Sequence, residues 1–418
     1  MTGQPVRVHS LRLRHPALVA LLLGAVGAPP GMQAQERQEV HPLFKVQIEH
    51  EFPDGRETLD ELMQLILENY YTDNVDEKSL WWGAVKGMLR QISPEENETL
   101  ATIWLPEEYA DVSASLQGVQ ESIGIKSSFS PVDGSLTVTE VMEGGPSQSL
   151  LLPYDRIVRI DGIPLKGLAV PQVDRMLKGE PGSRVSLKVV RDVAVFDLLV
   201  TRERVKVENV EVEVFPDNIG YALVRKFSEG VSAELKERLL ELAGQGVADL
   251  LLDFRGNSGG VLNESIKCAE LFIPKDQAVM LMVSHGSKIA KQVSGATEPL
   301  TFNLAILIDE GSASASEIVA AALRDNAGAK LVGARSYGKA SIERTYTLAN
   351  KYRAKFTIAA LYSPKGKGWH KNGLLPDFPV AQDRKVVEQT RNLPPETRLT
   401  RDQQLRVAHQ LLCLERPQ

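Results

Sequence analysis

The strongest constraint on the fold is an alternation of two hydrophobic patterns over residues 210–362. Five apolar runs have the composition of buried β-strands, and segments of helical period separate several of them, at 232–243, 261–271 and 314–325. The five runs are IGYALVRKF (219–227), ADLLLDF (248–254), NLAILID (303–309), AKLVGA (329–334) and FTIAALY (356–362). Strands that alternate with helices are typical of α/β proteins. The pattern predicts an α/β core over residues 196–380.

The rest of the chain divides by character into three further regions. Residues 35–115 contain apolar positions at helical spacing and predict a helical N-terminal region. Residues 116–195 carry short β-type runs separated by Gly-Gly-Pro, Asp-Gly and Pro-Gly-Ser, which predict a small β-rich domain. Residues 381–418 form a polar tail with a helical stretch, LRVAHQLLCL, near its end.

The first 34 residues have the pattern of a targeting signal. Arg7, Arg12 and Arg14 precede a 12-residue apolar run at 17–28, and small residues follow up to Ala34. A transmembrane helix needs about 20 apolar residues, so a cleaved secretory signal at 1–34 is favoured over a permanent anchor. We therefore expect an exported protein, periplasmic or otherwise extracytoplasmic, with membrane association left open.

Charge and cysteine usage exclude several functions. The 48 basic and 54 acidic side chains leave a net charge of −6, which gives no electrostatic footprint for nucleic acid. The two cysteines, Cys268 and Cys413, fit neither a paired metal spacing nor a CxxC motif. We expect no disulfide scaffold and no zinc site.

A serine-rich turn is the first candidate for chemistry. The segment GSASASEIVAAALRDN (311–326) follows the apolar run that ends at Asp309. Serine at the start of a helix meets unpaired backbone N–H groups, which favour a developing anion. Taken alone, however, these serines could equally be helix N-caps.

Lys339 is the second candidate, 25 positions after Ser314. A neutral lysine can activate a serine hydroxyl, and burial among apolar neighbours favours the neutral form. The alternative is an ordinary surface lysine in a hairpin. The surrounding GARSYGKA (333–340) also begins like a phosphate-binding loop, but Ala340 stands where such a loop needs serine or threonine.

The third candidate is DFRGNSGG (253–260), which ends another apolar run. Paired glycines after a buried strand let backbone N–H groups point at a ligand, as an oxyanion hole requires. A tight turn is the simpler interpretation. The core histidines, His285 and His370, adjoin no serine-glycine elbow, so a Ser-His-Asp triad is disfavoured.

Together and in this order, these elements resemble the C-terminal processing peptidases, or tail-specific proteases. The similarity extends over residues 58–380. Its further motifs are GMLRQISP (87–94), GGP (144–146), YDRIVRIDG (154–162), LKGEPGSRV (177–185) and NGLLPDFPV (372–380). The resemblance implies a ClpP/crotonase-like α/β peptidase core with an inserted PDZ-like domain at 116–195 and no metal or organic cofactor.

The resemblance also implies roles for individual residues. Ser314 corresponds to the nucleophile and Lys339 to the general base of a serine-lysine dyad. The remaining assignments are Gly260 and Ala315 for the oxyanion hole, Asp325 for a structural aspartate near the active site, and Ser122, Ile123, Gly124 and Ile125 for the peptide-carboxylate loop.

One departure from the family pattern bears on catalysis. Glu343 stands where the family has a glutamine that orients the lysine. An ionised carboxylate there favours the charged ammonium and weakens the base. Two functions therefore remain open: an exported serine endopeptidase that recognises C-terminal tails, or a weakly active or inactive homologue that binds peptides. Partners implied by the resemblance are substrates with free C-termini, an adaptor protein and further copies of the chain.

Overall fold

A computed structural model describes residues 54–72, 75–93, 101–142, 144–391, 393–414 and 416. The expected signal at 1–34 lies outside these residues. Among the helices that the structure describes, none is both long and apolar enough to cross a membrane.

The N-terminal region is mainly helical, as predicted. It comprises α1 (Gly55–Asn69), α2 (Glu77–Ile92), β1 (Thr102–Trp104) and α3 (Pro106–Leu116). Asp76 caps α2 by accepting a hydrogen bond from the Ser79 N–H group. Strand β1 was not predicted, because three residues are too few to show a period of two.

The small β-rich domain follows, with its own hydrophobic core. Its elements are β2 (Val119–Ser122), β3 (Ile125–Ser130), β4 (Ser135–Val141), β5 (Arg156–Ile160), β6 (Ile163–Pro164), α4 (Val170–Leu177), β7 (Arg184–Arg191), β8 (Ala194–Thr201) and β9 (Glu203–Lys206). The main sheet has the order β3-β4-β5-β7-β8, so β3 is an edge strand. Strand β2 pairs with β9 in a separate two-stranded ribbon, through which the chain enters and leaves the domain.

The α/β core confirms the predicted alternation. It contains β10 (Val210–Phe215), β11 (Ile219–Val224), α5 (Val231–Gly244), β12 (Asp249–Asp253), α6 (Leu262–Glu270), β13 (Ala278–Ser284), β14 (Lys288–Val293), β15 (Asn303–Ile308), α7 (Ala315–Ala327), β16 (Lys330–Gly333), β17 (Ser341–Thr347), β18 (Arg353–Tyr362) and β19 (Phe378–Pro379). One sheet has the order β10-β11-β12-β15-β16-β19 and is parallel from β11 onward. A second, antiparallel sheet joins β1, β18, β13 and β14, with β17 paired to β18.

Both faces of the parallel sheet are covered, which explains its continuous apolar runs. On β12, Leu250 and Leu252 pack in one hydrophobic cluster with α5, α6 and α7. Leu251 points to the opposite face and joins a second cluster. Leu405 and Leu412 belong to that second cluster, so the C-terminal tail forms a layer of the core.

The tail contains three helices, α8 (Arg384–Thr390), α9 (Pro395–Arg401) and α10 (Gln403–Leu414). The predicted helical stretch near the end corresponds to α10. One side of α10 is buried, so this part of the polar tail is an integral element of the fold.

Candidate active site

The three sequence candidates meet at one edge of the parallel sheet. The 253–260 segment follows β12, the serine turn follows β15, and the segment that contains Lys339 follows β16. These strands are parallel neighbours, so their carboxyl ends lie side by side. Clefts at the carboxyl ends of parallel strands are the usual place for binding sites in such sheets.

Ser314 occupies a strained turn between β15 and α7. Its backbone has φ 54° and ψ −111°, a left-handed region that non-glycine residues rarely adopt. The residue is partly exposed, whereas Ala315, the first residue of the helix, is buried. A strained strand-to-helix turn that exposes a serine is typical of nucleophiles in α/β hydrolases.

Glu317 connects the serine turn to the lysine segment. Its Oε2 atom accepts hydrogen bonds from the N–H groups of Ser314, at 2.8 Å, and Lys339, at 2.9 Å. Its Oε1 atom accepts from the Ser336 hydroxyl at 2.5 Å and the Gly338 N–H group at 2.8 Å. Burial raises the pKa of the Glu317 carboxyl above its ordinary value, and these four hydrogen bonds oppose that rise.

Sequence reasoning missed Glu317 because an acidic residue in the first turn of a helix is ordinary. A usable signal was present in the GSASASE motif, where the glutamate lies three residues after the central serine. That spacing is the one by which a side chain returns to the N–H group of the capping residue. What the sequence did not show was that the same carboxylate also binds the lysine segment.

Glu343 contacts Lys339 directly. The lysine Nζ atom lies 2.7 Å from Glu343 Oε2, and both side chains are largely buried. Glu343 Oε1 accepts a hydrogen bond from the Ser341 hydroxyl at 2.7 Å. The register of β17 against β18 shifts between Ile342 and Glu343, where Ile358 is the extra residue of a bulge on β18.

A second lysine, Lys355 on β18, belongs to the same electrostatic neighbourhood. Burial lowers the pKa of Lys355; Glu343 opposes that shift, and Lys339 adds to it. The Nζ atom of Lys355 lies 5.3 Å from the ring centroid of Trp104 on β1. The site thus contains two lysines that interact with one carboxylate, and nothing in the sequence pattern singled out Lys355.

The glycine loop lies against the serine turn through Gly259, the residue before Gly260. Gly259 and Gly260 both have positive φ, and a Cβ on Gly259 would lie 2.9 Å from the Ala315 nitrogen. Gly260 itself is pressed against Phe227, whose carbonyl oxygen would be 2.2 Å from an added Cβ. Only glycine fits either position. The oxyanion role itself stays a prediction.

Ser312 and Ser316 stabilise this arrangement rather than lying exposed. The Ser312 hydroxyl donates to the Phe254 carbonyl at 2.9 Å, and the Ser316 hydroxyl donates to the Asn257 carbonyl at 2.8 Å. The Ala313 N–H group also donates to the Asn257 carbonyl. Both serines therefore tie the turn to the glycine loop, in keeping with the supporting roles expected for them.

Asp325 does not lie beside Ser314. Eleven residues of helix α7 separate the two, a rise of about 16 Å at 1.5 Å per residue. Its Oδ2 atom accepts a hydrogen bond from the Lys365 N–H group at 3.1 Å. This contact is structural, and the position near the active site that the resemblance implies stays a prediction.

A buried charge network ties the glycine loop to the C-terminal tail. Arg255 pairs with Asp253 at 2.7 Å and with Asp402 at 2.8 Å, and all three side chains are almost fully buried. The Tyr221 hydroxyl donates to Asp253. Burial alone would raise the pKa of Asp253, but the Arg255 guanidinium outweighs it and holds that pKa at about 2.

The predicted carboxylate loop forms the turn between β2 and edge strand β3. Gly124 has φ +70°, and its N–H group donates to the Ser122 hydroxyl at 3.3 Å. Ile123 is fully buried in the core of the β-rich domain, so it anchors the loop through its side chain. Ile125 begins β3 and pairs with Val141.

Comparison with known proteins supports a single class. Residues 218–380 match peptidase family S41, and residues 122–201 match a PDZ domain. The probable CtpA-like serine protease of Staphylococcus haemolyticus is 27% identical over 366 residues, 87% of this chain and 69% of that protein. The carboxy-terminal processing protease CtpA of Bacillus subtilis is 29% identical over 324 residues, 76% of this chain and 67% of that protein.

A solved structure shares the fold. The putative S41 protease of Bacteroides fragilis aligns with a TM-score of 0.55 at 15% identity, covering 85% of this chain and 98% of that one. The match with the curated relatives spans about two thirds of their length.

An S41 peptidase core with an inserted PDZ domain defines a class of serine-type peptidases. This chain belongs to the C-terminal processing peptidase family.

Proposed function

We propose that this protein is an exported endopeptidase that recognises C-terminal tails through its PDZ domain and cleaves peptide bonds with a Ser314–Lys339 dyad. The observation that carries the proposal is the shared acceptor on Glu317. Because Oε2 of Glu317 binds the N–H groups of both residues, the two backbone nitrogens lie within 5.7 Å of each other, the sum of the two distances.

In the proposed reaction, the neutral amine of Lys339 takes the proton from the Ser314 hydroxyl as the serine oxygen attacks the scissile carbonyl carbon. The N–H groups of Gly260 and Ala315 would stabilise the oxyanion. The tetrahedral intermediate collapses when the lysine ammonium protonates the leaving amine, and the C–N bond breaks. Water then hydrolyses the acyl-enzyme by the same proton transfers in reverse.

Peptide capture is proposed for the edge of β3. An edge strand presents unpaired backbone groups, to which an extended peptide can add as a further strand. The turn at Ser122–Ile125 adjoins the start of this strand and would receive the terminal carboxylate in its backbone N–H groups. Delivery by an adaptor protein, assembly of several copies and a periplasmic or other extracytoplasmic location, with or without membrane association, belong to the same proposal.

The ion pair between Lys339 and Glu343 is the observation that favours a weaker enzyme. A carboxylate 2.7 Å away binds the Nζ atom that would have to accept the serine proton, and so competes with Ser314 for the lysine. Lys355 competes for the same carboxylate and so reduces this effect. Membership of a peptidase family favours the active enzyme over a pure peptide-binding protein.

The direct test is degradation of an unfolded protein such as casein by the purified chain, with Ser314→Ala as the inactive control and Ser284→Ala, at an exposed serine, as the matched variant. We expect the parent chain and Ser284→Ala to cleave casein. Ser314→Ala should not cleave it. Cleavage retained in Ser314→Ala would remove Ser314 from the mechanism, and absence of cleavage in the parent chain would favour the peptide-binding alternative.

A further inference from the structure

The C-terminal helix α10 contributes two potential metal ligands. They lie at the end of the parallel strands opposite to the end that carries Ser314. His409 and Cys413 are four residues apart and therefore lie on one face of the helix. Asp217 faces them from the turn that connects β10 to β11. One ligand atom from each residue lies within 4.8 Å of the other two.

We propose that Asp217, His409 and Cys413 bind one zinc ion, with water as the fourth ligand, and that the ion clamps α10 to the β10–β11 turn. The proposal concerns stability and is independent of the proposed function. Sequence alone predicts no zinc site here, because Asp217 lies 192 positions before His409 and the single Cys413 forms no paired motif.

The distances fit tetrahedral coordination. Cys413 Sγ lies 3.8 Å from His409 Nδ1 and 3.8 Å from Asp217 Oδ2. Zinc bonds of about 2.3 Å to sulfur and about 2.0–2.1 Å to nitrogen place two tetrahedral ligand atoms about 3.6 Å apart. Thiolate and carboxylate, together with a neutral imidazole, also balance the charge of a divalent cation.

The surroundings of His409 prepare it as a ligand. Its Nε2 atom lies 3.0 Å from the Pro216 carbonyl oxygen, which can only accept, so Nε2 carries the proton. The lone pair of Nδ1 then faces Cys413. A ligating histidine usually donates its other N–H group to a carbonyl or carboxylate in this way.

The turn that carries Asp217 is also held in place. Arg416 donates to the Asp217 carbonyl at 2.5 Å and to the Asp249 carboxylate at 2.7 Å. The Asp217 side chain is exposed, and its Oδ2 atom already lies 3.6 Å from His409 Nε2. A surface cavity of about 490 Å³, lined in part by Asp217, His409 and Cys413, gives an ion access to the ligands.

Cobalt titration of the purified, metal-stripped chain tests the site, because a thiolate ligand gives bound Co²⁺ a charge-transfer absorption band in the near ultraviolet. We expect one Co²⁺ per chain with this band, displaced by equimolar Zn²⁺. Cys413→Ser should lose the band, and Asp217→Asn should bind cobalt at least about tenfold more weakly. The matched controls Cys268→Ala, at the other cysteine, and His285→Gln, at an exposed histidine, should keep it.

Thermal unfolding supplies a second readout. Zinc should raise the Tm of the parent chain and of Cys268→Ala, by mass action on the folded state, but not that of Asp217→Asn. Asparagine tolerates the positive φ of position 217, so this variant is expected to fold. A parent chain without the charge-transfer band, or a band that survives in Cys413→Ser, would overturn the proposal.

Discussion

Ser314 and Lys339 donate their backbone N–H groups to the same atom, Oε2 of Glu317. The two residues are 25 positions apart and follow different strands. A buried carboxylate with four donors leaves little freedom for either segment to move, because each movement would leave a buried group unpaired. Glu317 therefore sets the geometry of the proposed dyad without taking part in the chemistry.

Replacement of Glu317 by glutamine should uncouple the dyad. Each carboxylate oxygen accepts two hydrogen bonds, whereas the amide nitrogen of glutamine accepts none and would face two donors in either orientation. We expect kcat to fall at least about tenfold and the free energy of unfolding to fall by about 2–3 kcal/mol. Casein cleavage and urea unfolding measure both effects. Glu310→Gln, at an exposed glutamate in the same turn, is the control that should change neither.

The Lys339–Glu343 pair predicts a gain of activity when the carboxylate is removed. Glu343→Gln removes the carboxylate that binds the Lys339 Nζ atom at 2.7 Å, so the amine can face Ser314 and turnover at pH 7 should increase. Lys355→Met should lower turnover, because Glu343 would then interact with Lys339 without a competing lysine. Lys351→Met, at an exposed lysine, serves as its control. Identical turnover of Glu343→Gln and the parent chain would show that the pair does not control the base.

The buried Asp253–Arg255 pair predicts a loss of stability in acid. The pKa of Asp253 is about 2 when folded, below its ordinary value of 3.8, so its ionised form stabilises the folded state above pH 4. This contribution, about 2 kcal/mol, should disappear as pH falls from 4 toward 2. Urea unfolding from pH 7 to pH 2 measures it.

Asp253→Asn leaves Arg255 without its nearest carboxylate, so it should be about 3–5 kcal/mol less stable at pH 7 and lose less further stability between pH 4 and pH 2. Asp197→Asn, at an exposed surface pair, should follow the parent chain. Parallel curves for Asp253→Asn and the parent chain would contradict the assignment of the acid loss to Asp253.

Peptide capture should depend on the shape of the loop at Gly124. An added Cβ would lie 2.9 Å from Pro146 Cδ and 3.2 Å from Gly145 Cα, at φ +70°. Gly124→Ala should therefore weaken binding of a peptide with a free carboxylate at least about tenfold, as measured by calorimetry. Gly162→Ala has a similar φ of +76° but open space around the Cβ, so it should bind normally. Equal affinity for free and amidated peptides would contradict carboxylate capture.

Sequence alone predicted the elements whose signal is local. The strand at 249–253 is buried on both faces and has three consecutive leucines at its centre, and the serine and glycine motifs directly follow strand ends. Contacts between distant segments could not be predicted in the same way. Asp402 meets Arg255 across 147 positions, and only the fold reveals that pairing. Sequence predicted a polar tail with a helix near its end, but not that Leu405 and Leu412 of this helix pack against the parallel sheet.

The contact between Glu343 and Lys339 shows a different limit. Sequence placed a carboxylate four residues after the lysine, but Lys339 lies before β17 begins at Ser341, so the alternation of side chains along a strand does not fix their relative direction. Lys355 lies at the same site because β18 pairs with β17, and no local sequence pattern encodes that pairing.

Labelling of Ser314 by a fluorophosphonate, with the modified peptide identified by mass spectrometry, tests the central claim most directly. The account predicts stoichiometric modification of Ser314 alone in the parent chain, at a rate that increases with pH and falls at least about a hundredfold in Lys339→Met. Modification of Ser312 or Ser316, or an unchanged rate in a folded Lys339→Met variant, would contradict a Ser314–Lys339 dyad.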